Sequence, residues 1–148
     1  MIYGNDLPAG NIVIMHGDVH RVDRTALGLI PFFHFGVEMH DGGICENTLQ
    51  GVRLVSLAEF APDGITRVRN PDATLAQRAA AVDRAASRIG ERSYNLILNN
   101  CEHFANWCAT GVAISHQVVE VVKTFLQMAF AALVSLLAVS LTRTVRVA

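Results

Sequence analysis

The first half of the chain carries short apolar runs separated by glycine, proline and aspartate, a pattern typical of β-strands joined by turns. The clearest turn is Asp41-Gly42-Gly43, which lies between two such runs and predicts a hairpin. The pattern predicts strands at residues 11–16, 20–24, 34–39, 44–46, 51–57 and 65–68, with a short connector at 58–60.

Residues 25–33 interrupt this alternation with a cluster of large apolar side chains, and we interpret them as a loop. Such a loop could contact lipid or could cover the core. Apolar residues in loops commonly pack over buried clusters without binding anything, so we expect core cover. The apolar residues concerned are Leu27, Leu29, Ile30, Phe32 and Phe33.

Helical periodicity follows and predicts a helix over residues 74–89, with Gly90 as its C-terminal stop. The predicted buried face consists of Leu75, Ala79, Val82, Ala86 and Ile89. The basic residues of this helix are Arg78, Arg84 and Arg88, and we expect them to form a solvated face.

A second helix is predicted to begin beside Cys101, after the apolar run 94–98, and to end at Gly111. Asn99 suits the N-cap position, and Glu102 follows it at the spacing of a capping box. The predicted strands come first in the chain and this helix comes late. This order indicates an α+β domain, in which a small antiparallel sheet packs on helices.

The C-terminal segment is apolar over a long stretch. Residues 124–142 contain no charged side chain, and Lys123 and Arg143 flank them. About 20 apolar residues cross a bilayer core, and roughly 17 can suffice. The alternative is a buried helix of a soluble protein, but a domain of this size has little interior for so long a segment. We expect a catalytic domain at residues 1–117 and a membrane-anchor helix within residues 118–148.

Composition narrows the class of protein. A chain of 148 residues is long enough to bury one core. The net charge of -1 provides no basic face, so we expect no nucleic-acid partner. Three cysteines without a disulfide spacing indicate thiols in a reducing compartment. The N-terminal residues lack the basic start and apolar core of a secretory signal.

Cys101 is the candidate nucleophile, because the first turn of a helix favours an anion and a thiolate is the reactive form of cysteine. The alternative is a buried structural cysteine. Zinc is a further possibility, but the spacing of Cys101, His103 and Cys108 matches no common zinc pattern. A fourth ligand would have to come from His34 or Cys45. We expect no metal and no other cofactor.

The run Asn100-Cys101-Glu102-His103-Phe104, followed by Trp107-Cys108 and Gly111, resembles the cysteine motif of the lecithin:retinol acyltransferase-like family. That family includes phospholipase A and acyltransferase enzymes and resembles a circularly permuted, NlpC-type papain-like fold. The resemblance therefore implies this fold, with a C-terminal hydrophobic helix like that of some relatives.

The segment His34-Phe35-Gly36-Val37-Glu38 resembles the family's histidine strand, which implies that His34 is the base partner of Cys101. Many relatives carry a second histidine twelve residues after the first, and here that position is Glu46. A glutamate can accept the ring N–H of His34, as aspartate does in serine triads. Asn47 would take this role if the strand register shifted by one residue. An exposed strand-end carboxylate is the alternative for Glu46.

These expectations combine into a thiol-dependent acyltransferase or phospholipase A-type hydrolase that acts on acyl esters of membrane glycerophospholipids. Its domain would lie in the cytosol, anchored by the C-terminal helix. The acyl acceptor stays open. One alternative is an NlpC-type cysteine peptidase or amidase with the same residues. Another is a non-catalytic membrane-associated module.

Overall fold

The computed structural model describes residues 7–8, 15–65, 67–70 and 72–147, with the side chains of the last helix described through Val139. The chain divides into two compact units, Met1–Ser115 and His116–Ala148. The first unit holds every residue with a predicted catalytic role.

An antiparallel sheet of six strands forms the centre of the first unit, in the order β1-β6-β2-β3-β4-β5. Most predicted strands are present, and residues 11–14 of the first one lie outside the described residues. The strands are β1 (Leu7–Pro8), β2 (Val19–Ala26), β3 (Ile30–Glu38), β4 (Ile44–Thr48), β5 (Gly51–Val55) and β6 (Arg67–Val68).

Four helices accompany the sheet in the part of the chain that the structure describes. They are α1 (Leu57–Phe60), α2 (Leu75–Ser87), α3 (Cys101–Thr110) and α4 (His116–Val147). The main core joins the sheet to α2 and α3 through Phe35, Ala81 and Phe104, among others. A second cluster packs Phe60 of α1 against Val22 and Ile44 of the sheet. The predicted α+β class is confirmed, and the late position of α3 is consistent with the permuted papain-like order.

The predicted loop at residues 25–33 is wrong. β2 and β3 pair through Ala26 and Ile30, so only residues 27–29 form the turn of a long hairpin. We expected these apolar residues to cover the core. At the tip of the hairpin this expectation is also wrong, because Leu27 and Leu29 are 92% and 84% exposed. The uninterrupted backbone pairing of β2 with β3 outweighs the irregular side-chain pattern that suggested a loop.

The predicted buried face of α2 is wrong except at Val82, although the position of the helix is right. The buried residues are Arg78, Ala81, Val82 and Ala85, whereas Leu75 and Ile89 are exposed. Gly17, with φ +82, allows the backbone of Arg78 to approach so closely that a Cβ at position 17 would clash. Buried Arg78 then pairs with buried Asp18. This ion pair and the small alanines decide which side of the helix faces inward.

The strand predicted for residues 51–57 is too long. It ends at Val55, and Ser56 caps α1 by accepting a hydrogen bond from the backbone N–H of Glu59. The predicted connector at residues 58–60 is therefore helical. A serine followed three residues later by glutamate is a helix-start signal, and it competes here with the apolar alternation.

The second unit consists of α4. Its segment His116–Val139, 24 residues with a mean hydropathy of 1.9, is long and apolar enough to cross a membrane. None of this segment is buried within the protein. At 1.5 Å per residue it exceeds the roughly 30 Å of a bilayer core.

Candidate active site

Cys101 is the first residue of α3, and Asn100 is the N-cap. The Asn100 side-chain oxygen accepts hydrogen bonds from the N–H groups of Glu102 and His103, both at 3.0 Å. The ring of His103 in turn accepts from the Asn100 backbone N–H, which completes a capping box. The predicted box of Asn99 and Glu102 is therefore wrong by one residue, while the end of the helix at Gly111 is confirmed.

The thiol of Cys101 lies against strand β3. It is 5% exposed, and its Sγ is 3.8 Å from the carbonyl oxygen of Phe33, the residue before His34. The side chain of His34 hydrogen-bonds with Cys101. The helix start and the middle of the sheet thus bring together two residues that are 67 positions apart in the sequence.

The other side of the His34 ring contacts Glu46. His34 Nε2 lies 2.7 Å from Glu46 Oε2, and both side chains are buried. Glu46 pairs with Gly36 across the strands, so the contact is a diagonal one on one face of the sheet. A side chain at Gly36 would collide with Ile44 and with Phe60, whose ring packs beside His34 at 5.5 Å.

Arg53 holds the second oxygen of Glu46. Its Nε and Nη2 donate to Glu46 Oε1 at 2.9 and 2.7 Å, and its Nη1 meets Glu59 at 3.1 Å. Sequence analysis missed Arg53. A two-residue turn at residues 49–50 places position 53 opposite position 46, so hairpin register was the signal that could have identified it.

These contacts set the charge states of the site. Burial alone would lower the pKa of His34, but hydrogen bonds with Cys101 and Glu46, together with their charges, raise it to about 9. Burial likewise opposes ionisation of Glu46, yet hydrogen bonding to His34 and Arg53 leaves its pKa below the usual value. The arrangement therefore favours a His34 imidazolium paired with an ionised Glu46 at neutral pH.

The two other cysteines have a different environment. Cys45 and Cys108 are completely buried, and burial raises the pKa of each thiol to about 12. These thiols stay protonated at neutral pH and are poor nucleophiles. Cys101 alone among the three hydrogen-bonds with a histidine side chain in the part of the chain that is described.

Buried polar contacts hold α3 in place. Glu102 accepts from Arg69 at 3.0 Å and from the Ser115 hydroxyl at 2.7 Å. Arg69 also donates to Asn106 and stacks over Phe35, 4.1 Å from the ring centroid. None of this network was predicted from the sequence, because partners so distant along the chain leave no local pattern.

The structure thus brings Cys101, His34 and Glu46 into one continuous chain of contacts. Asn47 lies elsewhere: its side-chain nitrogen donates to the Asn99 carbonyl at 3.1 Å, next to the helix start. His20 contacts Glu38 at 2.5 Å inside the sheet. Within the described ranges, no group of three or more His, Cys, Asp or Glu side chains is placed to hold a metal ion.

Comparison with known proteins agrees with the resemblance noted in the motif. The family model described as Lecithin retinol acyltransferase matches residues 13–114. The chain is 32% identical over 80 residues to lecithin retinol acyltransferase of Mus musculus, which covers 51% of this chain and 34% of that protein. For the Homo sapiens protein the identity is 33% over 70 residues, covering 45% and 30%.

The chain therefore spans about a third of the length of the curated relatives that it matches. No solved structure matches it significantly. The matched range 13–114 includes His34, Glu46 and Cys101 and stops before α4.

Proposed function

Because the chain belongs to the lecithin retinol acyltransferase family, we propose that it is a thiol-dependent acyltransferase or acyl hydrolase acting on glycerophospholipid esters. Cys101 is the nucleophile, His34 the general base and acid, and Glu46 the residue that orients His34. The contacts from Cys101 through His34 to Glu46 carry this proposal. They meet the requirement that a nucleophile has a base within reach and that a third group holds the base.

The first half-reaction forms an acyl-thioester. The Cys101 thiolate attacks the carbonyl carbon of the ester, and a carbon–sulfur bond forms. Collapse of the tetrahedral intermediate breaks the bond to the glycerol oxygen, which leaves with a proton from the His34 imidazolium. Since Nε2 is engaged by Glu46, Nδ1 is the ring nitrogen left for this transfer.

The second half-reaction restores the thiol. An acceptor hydroxyl, amine or water attacks the thioester and gives its proton to His34, while the sulfur leaves. The start of α3 also supplies a donor for the oxyanion of each intermediate. The Asn100 side chain already takes the N–H groups of Glu102 and His103, which leaves the N–H of Cys101 for the developing charge.

We place this unit at a membrane surface, anchored by α4, on the cytosolic side. The apolar segment His116–Val139 supports the anchor. The three free thiols support a reducing compartment. Glycosylation sites inserted at the two ends of the full chain test the orientation, because the cytosolic end stays unmodified.

The proposal is tested by incubating the full-length protein with phospholipid labelled in the acyl chain and measuring the mass of the protein. We expect one acyl group on Cys101 that hydroxylamine removes. Cys101→Ala should abolish both the adduct and the release of lysophospholipid. Cys108→Ala is the matched control, because it removes a buried thiol of high pKa and should leave the adduct in place.

Different outcomes separate the alternatives. Turnover of amide or isopeptide substrates at Cys101, without any lipid adduct, would replace the proposal with a cysteine amidase. If a thiol-directed probe labels Cys101 no faster than Cys45 and Cys108, the chain is a non-catalytic module instead.

A further inference from the structure

Two segments of the first unit expose apolar side chains to solvent. One is the tip of the β2–β3 hairpin, with Leu27, Leu29, Ile30 and Phe32, and the other is the segment Leu96, Ile97 and Leu98 before α3. We call these seven residues the apolar rim. Leu96 and Leu98 are 71% and 76% exposed. Scattered exposed leucines are ordinary, but groups of this kind mark sites of interaction with a protein or a membrane.

The two segments of the apolar rim, which we call its arms, carry no charged side chain. Residues 25–33 and residues 93–100 contain no acidic or basic side chain. Surface loops usually carry polar side chains that keep them in water. These two segments lack charges that would have to be desolvated on entering an apolar phase.

The backbone of each arm is arranged to present these side chains. Leu27 adopts φ +53, a left-handed conformation that is unfavourable for leucine and easy for asparagine or glycine. In the other arm, the side chain of Asn95 accepts hydrogen bonds from the N–H groups of Ile97 and Leu98. These two N–H groups are thus satisfied internally, while Leu96, Ile97 and Leu98 are exposed.

Both arms begin beside the nucleophile. Phe32 precedes Phe33, whose carbonyl oxygen lies 3.8 Å from the Cys101 sulfur. Leu98 lies three residues before Cys101, and three peptide units span at most roughly 11 Å. Phe32 and Leu98 therefore lie near the site at which a fatty acyl ester would react, and the rest of the apolar rim continues from them along the chain.

We infer that the apolar rim inserts into the acyl-chain region of a phospholipid bilayer and seats Cys101 at the lipid surface. This inference rests on the proposed function, and it names the partner of the same site. Lipid is favoured as the occupant because of how the chain leaves the first unit. Ser115 donates to Glu102, the neighbour of Cys101, and the apolar helix α4 begins at the next residue. If a bilayer holds α4, the peptide chain connects that helix directly to Ser115, which lies near Cys101 and the rim.

Depth-dependent fluorescence quenching tests this inference on the full chain in phosphatidylcholine vesicles. Trp107→Phe removes the native tryptophan, and Leu29→Trp or Ile97→Trp then serves as the reporter in each arm. Leu75→Trp is the matched control, because Leu75 is exposed at the start of α2, whereas Arg88 at the other end of this helix contacts Asn99 beside Leu98. Leu133→Trp reports on α4. We expect lipids brominated on the acyl chains to quench the rim reporters several-fold more than the Leu75 reporter.

A second measurement uses substrate. Leu29→Asn and Ile97→Asn should each raise KM for vesicle phospholipid about tenfold, the value of burying one large apolar side chain. They should leave turnover of a short, water-soluble ester unchanged. Leu27→Asn should weaken vesicle binding and also relieve the backbone of the turn, so loss of folding cannot explain its effect.

The outcomes distinguish the two proposals. Quenched rim reporters without an acyl adduct on Cys101 would leave the docking surface standing and reject the chemistry. A quenched Leu133 reporter with unquenched rim reporters would overturn the inference and keep the anchor. Rim reporters shielded from an aqueous quencher but untouched by brominated lipid would show a protein partner, such as a second copy, and would also overturn it.

Discussion

Glu46 requires more support than a neutral residue would at the same position. Its side chain is 5% exposed, and a buried carboxylate is costly unless it is paired. His34 takes one oxygen and Arg53 takes the other, while Glu59 balances the remaining charge of Arg53. The charges therefore alternate along the series of contacts that runs from Glu59 through Arg53 and Glu46 to His34. This series ends at Cys101.

The charge of Glu46 can be removed while its shape is kept. Glu46→Gln still offers an oxygen to the His34 ring but lacks the negative charge that helps to raise the pKa of His34. We expect the pKa of His34 to fall from about 9 toward neutrality. The alkaline limb of kcat/KM should move down with it, because the leaving oxygen needs the imidazolium as its acid.

NMR titration of the His34 ring measures this pKa directly, without relying on activity. Glu59→Gln is the control, since it acts only through Arg53 and should shift the pKa by less. An unchanged His34 pKa in Glu46→Gln would refute the contribution of the Glu46 charge to the raised pKa of His34.

At the level of the elements, sequence patterns located the strands and helices better than their inward faces. Gly111 identified the end of α3 correctly, because a helix often ends at a residue in the left-handed conformation and glycine adopts that conformation most easily. The cap was harder to assign, since Asn99 and Asn100 are equally good N-cap residues and the geometry selects Asn100. Arg78 was assigned to solvent because the buried carboxylate of Asp18, which pairs with it, lies 60 positions away.

The candidate site was more accessible to sequence reasoning than its supports. Cys101 and His34 stand in short local motifs, and Glu46 lies at a fixed distance from His34 along one hairpin. Arg53 and Arg69 bind their partners through tertiary packing, which no motif records.

The assignment of the cap leads to a prediction for α3. Asn100→Ala removes the acceptor of two helix N–H groups and should lower the free energy of unfolding by about 1–2 kcal/mol. Asn99→Ala should cost less, because the Asn99 side chain hydrogen-bonds with residues such as Ser93 and Arg88 and not with the N–H groups at the start of α3. Chemical denaturation of the two variants in detergent measures the difference. Equal losses would contradict the N-cap role of Asn100.

For the whole molecule, the site couples stability to pH. The pKa of His34 is raised from 6.5 to about 9 on folding, so its contribution is fully present below pH 6.5 and is lost as the pH rises toward 9. We expect the free energy of unfolding to fall by up to about 3 kcal/mol over this range. The lowered pKa of Glu46 acts in the opposite direction, and its contribution is lost as the pH falls below 4.5.

Denaturant titrations at pH 6, 7.5 and 9 measure the alkaline loss. His34→Asn should flatten the curve between pH 6.5 and 9. Above pH 9 both proteins should lose stability further, because Cys45 and Cys108 ionise in the unfolded chain but stay protonated to about pH 12 when folded. A wild-type curve as flat as that of His34→Asn would contradict the raised pKa.

The direct passage from Ser115 into α4 has a kinetic consequence. Ser115 is hydrogen-bonded beside the site, and His116 already belongs to the helix. Under the proposed function, an enzyme anchored by α4 would not diffuse away between turnovers, and its search for substrate would be two-dimensional. Its rate would then follow the mole fraction of ester lipid in its own membrane, and dilution with inert lipid would slow it even at constant bulk concentration.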